Sequence, residues 1–374
     1  MEETYSRVEA VLMIVVDGHE DLAWNVLTFG RDYTRSVQQT RQLERNTEVP
    51  DHNGQTLLGW PEWVDGRVAI VFATLFAAPE RHSYGAWDTV IYRDRTEAEQ
   101  LYLKNLDVYQ RMVQEHPDKF ALITSQTDLD QVLAGWAGDE PSDPRLGLVI
   151  LMEGADGVQR PEDAFGWYER GVRILGPAWA GTYYAGGTYE PGPLTAPGRE
   201  LLARMAEAGL ALDLSHMSDD GALEALDLFE GVVLISHSNP AGLLENLKNP
   251  ERAVGDDVIR LLAQRDGVLG ITPYLSFIVG DWEPKMGREA AGIDDMVIHI
   301  DYICQLTGSA DHVAIGTDFD GGYGLDKTIE GLDSVADLRL IGSALHRRGY
   351  SSAQVEGILG GNWIRMLRRM LAGK

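Results

Sequence analysis

The sequence predicts an α/β fold, a (β/α)8 TIM-type barrel with extra loops over the C-terminal face of its strands, on three observations. Eight short apolar runs are separated by stretches long enough to hold a helix. Most of these runs lack the polar alternation of a one-faced sheet, as expected of parallel strands buried on both sides. The unusual polar residues gather where the runs end. A chain of 374 residues suits one such barrel, since barrels use roughly 200 to more than 400 residues. No repeat, low-complexity tract or Pro- or Gly/Ser-rich linker divides it, so residues 1–374 read as one domain.

The first run, Val11 to Val16, follows acidic residues and is too short for a signal or membrane segment, so it reads as a buried strand. The others are Val68 to Leu75, Leu146 to Met152, Val172 to Ala178, Leu210 to Leu214, Val232 to Ile235, Val268 to Thr272 and Val313 to Gly316. Between them lie helix signals. Thr96 opens Glu97 to Glu115, and Pro197 precedes a run through Ala208 that Gly209 closes. Ser218 suits the N-cap of Asp219 to Phe229, and Ser334 with Asp337 resembles a capping box before a helix ending near Arg348. Two stretches break the alternation: the polar Leu27 to Gly66 and the Gly- and Tyr-rich Trp179 to Pro193. Both follow strands, so both are expected over the barrel mouth, where long loops line pockets.

Composition narrows the partners. The formal charge of −26, from 58 acidic against 32 basic residues, repels nucleic-acid phosphates and anionic lipids. Cys304 is the single cysteine, so an intrachain disulfide is impossible and a reducing, cytoplasmic setting is expected. No stretch approaches the roughly 18 apolar residues of a membrane span, and the basic ending RMLRRMLAGK carries no lipid-anchor signal. Arg173 and the C-terminal basic cluster read as surface or structural charges.

Chemistry is concentrated at five strand ends. DGHED follows the first run, MEG the third, DLSHMS the fifth, SHSN the sixth and GTDFDG the eighth. Parallel barrel strands bring their C-terminal ends to one face, so His19, Asp21, Glu153, His216, His237 and Asp318 are expected in one pocket. His19 and Asp21 are two residues apart on an extended segment and leave the same side. Imidazole and carboxylate donors suit Zn²⁺ and similar divalent ions, and the set is large enough for two. Taken singly, a strand-end histidine is more often a structural residue, Glu153 a partner in a salt bridge, and Asp318 or Asp320 a cap for the next turn. Their joint recurrence favours the metal reading.

With these motifs in place, the chain resembles the membrane dipeptidase family of zinc metallopeptidases, amidohydrolase-like barrels. The resemblance runs in order through DGHEDL, LMEGAD, GVRILGPAW, LDLSHMS, ISHSNP, GVLGI, HVAIGTDFDG and GGNWIRML. It implies a binuclear site, most simply with zinc, in which His19 and Asp21 hold one ion, His216 and His237 the other, and Glu153 bridges them. It further implies that Asp318 handles the proton of the bridging water and that Arg252 grips the substrate's terminal carboxylate. Trp179 and Tyr274 complete the expected substrate contacts.

One departure bears on the substrate. Where the family's dipeptidases carry a histidine in a T-H pair after the fourth strand, this chain has Ala178 and Trp179. An indole N–H donates one hydrogen bond but cannot become cationic. The leading expectation is a metal-dependent dipeptidase taking a small dipeptide-like substrate, with neither nucleic-acid nor membrane partner, and compatible with a homodimer. The alternatives are a related hydrolase of a non-dipeptide amide or lactone, and a catalytically silent metal-binding barrel.

Overall fold

The computed structural model describes residues 13–372, so the first two residues of the run from Val11, the acidic segment before it and the last two residues lie outside the described residues. Eight parallel strands close into a barrel: β1 Val15–Glu20, β2 Val68–Leu75, β3 Leu146–Glu153, β4 Val172–Gly176, β5 Ala211–Asp213, β6 Val233–Ile235, β7 Val268–Ile271 and β8 Val313–Ile315. Each pairs with its neighbours in sequence. β2 and β3 pair from Ile70↔Gly147 to Leu75↔Met152, and Asp17↔Ile315 joins β1 to β8. A short accessory strand, Phe120–Leu122, adds to the first half of β3. Seven of the expected runs hold a strand, several trimmed by a residue or two at one or both ends; of the first run, Val15 and Val16 open β1, which continues to Glu20, whereas Met13 and Ile14 are not strand.

Every residue of the barrel strands is buried, which explains the continuous apolar runs. Val16, Phe72, Leu151, Ile174, Ala211, Leu234, Val268 and Ala314, one from each strand, belong to a cluster that fills the interior. A second cluster joins the outer strand faces to the surrounding helices. Gly270 and Gly316 flank the Ser236 carbonyl so closely that a Cβ on either would overlap it. Glycine there lets β6, β7 and β8 converge just below the mouth.

Among the helices, those used below are α1 Leu22–Phe29, α2 Arg95–Glu115, α3 Gln126–Gly135, α4 Ala196–Ala208, α5 Asp219–Leu228, α6 Asp256–Gln264, α7 Ile293–Thr307, α8 Arg339–Arg347 and α9 Asn362–Leu371. α9 packs on the interior cluster: Trp363 meets Phe72 edge-to-face and donates its indole N–H to the Ile315 carbonyl at 2.8 Å. α4 ends at Gly209, whose φ of 90° is the left-handed turn that glycine accepts without strain.

One capping expectation is corrected and two are refined. Asp94, not Thr96, caps α2 through the Glu97 N–H. Ser218 stands at the N-cap of α5 as expected, but its side chain makes no cap bond; its hydroxyl binds Gly192, donating to the carbonyl at 2.6 Å and accepting the N–H at 3.2 Å. The loop over the mouth competes successfully for that hydroxyl. Ser334 and Asp337 do pair at a helix start as expected, with Asp337 Oδ2 accepting the Ser334 N–H at 2.9 Å, and the ordinary α-helix follows after a turn of 3₁₀. Arg173 is buried rather than superficial, donating to the Thr124, Tyr168 and Val172 carbonyls and lying over the Tyr168 ring.

Candidate functional site

The C-terminal ends of the strands surround a cavity of about 440 Å³. Its wall includes Asp21, Glu153, Trp179, His216, His237, Arg252, Tyr274 and Asp318. His19 lies beside it, buried, with Nε2 at 3.9 Å from Asp21 Oδ1, 3.6 Å from Glu153 Oε1 and 3.9 Å from Asp318 Oδ1. Every site residue expected from the sequence is therefore brought to one end of the barrel.

Glu153 occupies the middle. Its Oε1 lies 3.0 Å from His216 Nε2 and 3.5 Å from His237 Nε2, and these two imidazole nitrogens are 3.0 Å apart. The His19 and His237 rings have centroids 3.7 Å apart. Two groups of donor atoms, from His19, Glu153 and His237 and from His19, Asp21 and Asp318, each lie within 4.8 Å of one another. Among the described residues His19 Nε2 has no hydrogen-bond partner. A buried donor without a partner, facing carboxylates and other imidazole nitrogens, fits a divalent cation.

The far sides of the rings explain why these nitrogens converge. The Ser236 hydroxyl lies 2.8 Å from His237 Nδ1 and 3.3 Å from His19 Nδ1. It donates to Asp213 Oδ2 at 2.6 Å, so its lone pairs face the two rings. His216 Nδ1 lies 2.9 Å from Thr188 Oγ1, a residue of the 179–193 loop. An Nδ1–H on each ring leaves the Nε2 lone pair directed into the site.

Burial shapes the charges. It pulls the three imidazoles well below their usual titration range, with the Arg252 charge adding to the effect. It pushes Glu153 and Asp318 well above the usual carboxylate range, reinforced by the neighbouring Asp21 charge. Asp21 is pushed up to about 6 by burial, opposed by a hydrogen bond from Thr74. Clustered carboxylates that resist ionisation are the environment a multivalent cation relieves.

Backbone strain is concentrated in the same place. His216, Asp318 and Asp320 adopt φ values of 66°, 57° and 63°, a left-handed region uncommon outside glycine and costing about 1–3 kcal/mol per residue. Asp320 anchors the last two. Its carboxylate accepts Arg31 Nη1 at 2.9 Å, the Tyr33 hydroxyl at 3.1 Å, the Thr56 hydroxyl at 2.5 Å and the Leu57 N–H at 2.8 Å. This is where the Leu27 to Gly66 segment acts. It contains three short helices and contributes no residue to the cavity wall, contrary to the expectation that it lines the pocket. The Trp179 to Pro193 loop does line it, through Trp179, Thr188 and Tyr189.

Arg252 is buried, with Nη1 donating to the His237 carbonyl at 2.9 Å and Nη2 without a hydrogen-bond partner among the described residues. Its guanidinium lies 5.0 Å from the Phe277 ring centroid. Tyr274 packs against Tyr323 with the rings tilted, their centroids 4.7 Å apart. Trp179 packs edge-on to Phe76 and Tyr189 and has its centroid 6.2 Å from that of His216. Ser236, Asp213, Thr188 and Arg31 are polar contributors that the motif reading did not single out. The serine and aspartate belong to the SHSN and DLSH motifs, the one signal that pointed toward them.

Comparison with known proteins identifies relatives of the chain. The chain is 28% identical over 371 residues to the uncharacterized dipeptidase C965.12 of Schizosaccharomyces pombe, covering 95% of this chain and 80% of that protein. Two crystal structures share the fold: the probable dipeptidase PvdM from Pseudomonas aeruginosa, at 18% identity, 97% coverage of both chains and a TM-score of 0.78, and a metallopeptidase from Rhodobacter sphaeroides liganded with a phosphinate mimic of L-Ala-D-Ala, at 21% identity, 96% and 99% coverage and a TM-score of 0.75. The family model for membrane dipeptidases, peptidase family M19, matches residues 5–372. The chain therefore belongs to the membrane dipeptidase family of metallopeptidases.

Proposed function

We propose that the protein is a binuclear metal-dependent dipeptidase acting on small peptides with a free C-terminal carboxylate. The observation that carries this reading is the convergence of three imidazole Nε2 atoms on Glu153 Oε1, at 3.0 to 3.6 Å. His19 and Asp21 would hold one ion, His216 and His237 the other, with Glu153 shared between them. Zinc suits this donor set. Held there, such ions make a water acidic and polarise the scissile carbonyl.

The chain's own residues supply the rest. Arg252 presents Nη2, which has no hydrogen-bond partner among the described residues, to the substrate carboxylate, where a guanidinium fork can pair with both oxygens. Asp318 takes a proton from the attacking water and returns it to the leaving amine nitrogen, so that water is divided between the new acid and the new amine. Ser236 and Thr188 keep the imidazoles in the tautomer that faces the site. Hydrolysis of L-L and L-D dipeptides by zinc-reconstituted protein tests the reading. Turnover abolished by a chelator supports it; no turnover with metal bound contradicts it.

Trp179 favours a second reading, a related hydrolase of a non-dipeptide amide or lactone. Among the described residues its indole N–H meets no protein acceptor, leaving a single neutral donor to face the substrate. Under this reading Trp179→His raises dipeptide hydrolysis, and an unchanged rate counts against it.

A further inference from the structure

We infer that the cavity selects substrates whose acyl side, the part ending in the scissile carbonyl, carries a bulky apolar or aromatic group. The inference rests on the dipeptidase reading above and on Arg252 as carboxylate anchor.

Five aromatic side chains form one wall of the cavity: Trp24, Phe76, Tyr84, Trp179 and Tyr189. They pack edge-to-face, with centroids 5.0 Å apart for Phe76 and Trp179, 5.4 Å for Trp179 and Tyr189, 6.2 Å for Tyr84 and Trp179 and 6.3 Å for Trp24 and Phe76. The base of the wall is buried, whereas Tyr84 and Tyr189 remain 44% and 40% exposed. Two large rings left open over three buried ones form a receptive apolar surface.

The barrel order decides which part of the substrate meets that surface. Arg252 follows β6, and in a closed eight-stranded barrel β6 lies opposite β2. Phe76 and Tyr84 follow β2, Trp24 lies on α1 after β1, and Trp179 and Tyr189 follow β4. Glu153, at the end of β3, lies in the middle of the site, against His216 and His237 from the ends of β5 and β6. A substrate with its carboxylate on Arg252 and its scissile carbonyl at the histidine and carboxylate cluster extends its acyl side across the barrel toward Trp24, Phe76 and Tyr84, with Trp179 and Tyr189 flanking it from the β4 side.

The wall is held in shape. Glu190 accepts Arg81 Nε at 2.5 Å and lies 2.7 Å from His82 Nε2, fastening the 179–193 loop to the segment after β2. The His82 ring stacks on Tyr189, with centroids 5.1 Å apart. Tyr189 is thus presented as a fixed ring, and an apolar group laid against it gains contact at little ordering cost.

The test compares Phe-Ala with Gly-Ala on zinc-reconstituted protein, and in parallel measures by calorimetry the binding of phosphinate mimics of the same two dipeptides. The expected kcat/KM ratio favours Phe-Ala by at least about tenfold, the order that an apolar pocket achieves, and the mimics follow the same order. In Tyr189→Ala, whose exposed ring leaves no core cavity, the ratio falls toward unity, while Tyr189→Phe keeps it. Equal kcat/KM values, a preference for Lys-Ala over Phe-Ala, or mimics that bind equally or not at all overturn the inference. Selective binding without turnover of any dipeptide supports this wall and contradicts the dipeptidase reading, so the two failures are distinguishable.

Discussion

The Ser236 hydroxyl donates to Asp213 Oδ2 at 2.6 Å and thereby turns its lone pairs to the imidazoles of His19 and His237. One hydroxyl thus orients rings that the proposed arrangement assigns to different ions. Ser236→Ala should weaken binding of both ions by about 10–100-fold, the usual cost of losing such a partner. Zinc titration against a competing chelator measures it, and unchanged affinity would show that the hydroxyl is dispensable.

Arg31 and Asp320 are both fully buried, and their 2.9 Å ion pair lies at the centre of the network holding the 27–66 segment to the end of β8. Asp320→Ala leaves Arg31 with only Glu44, Asn25 and a carbonyl as partners. The expected loss is about 3–5 kcal/mol of stability, the range for breaking a buried pair. Urea denaturation of the metal-free protein reads it, and a loss below about 1 kcal/mol, typical of a surface pair, would contradict the account.

Metal uptake should release protons. Burial holds Glu153 and Asp318 well above the usual carboxylate range and Asp21 up to about 6, so the metal-free fold retains protons that a cation must displace. The imidazoles are shifted in the opposite direction and are neutral near pH 7, with no extra proton to release. A group with a raised value stays protonated until the pH climbs through that value. Affinity therefore increases as the pH rises through about 6, where Asp21 ionises, and is lost on the acid side. Calorimetry in buffers of different ionisation heat, on either side of that pH, counts the protons; uptake without proton release would contradict the assignment.

Much of this was legible in the sequence because its signals were local. Eight apolar runs mark eight strands, since burial on both faces removes polar alternation. His19, Glu153, His216, His237 and Asp318 stand out because polar residues directly after apolar runs fall on the common face. What escaped were contacts between distant segments. Thr188 reaches His216 from a loop of no recognised motif, and Arg31 meets Asp320 across 289 residues of sequence (320 − 31). The polar character of 27–66 suggested a pocket loop, whereas its polar groups are used internally to fix Asp320. Ser218 looked like a cap, but the Gly192 backbone, absent from local reasoning, claimed its hydroxyl.

Arg252 should act mainly through binding. Arg252→Lys keeps a charge but loses the fork, and kcat/KM for dipeptides is expected to fall by about 100-fold, mostly in KM, in line with the loss of an interaction made equally in ground and transition states. A dipeptide amide, lacking the carboxylate, should be a poor substrate for both forms. If the amide were hydrolysed as well as the free acid, Arg252 would not be the anchor.

The most direct test of the central claim is zinc content and dipeptide hydrolysis measured on one preparation. The account predicts about two equivalents of tightly held metal, as a two-metal site requires, with activity that appears and disappears with them. Fewer than about two equivalents after zinc loading, or full occupancy without hydrolysis of any dipeptide, would contradict it.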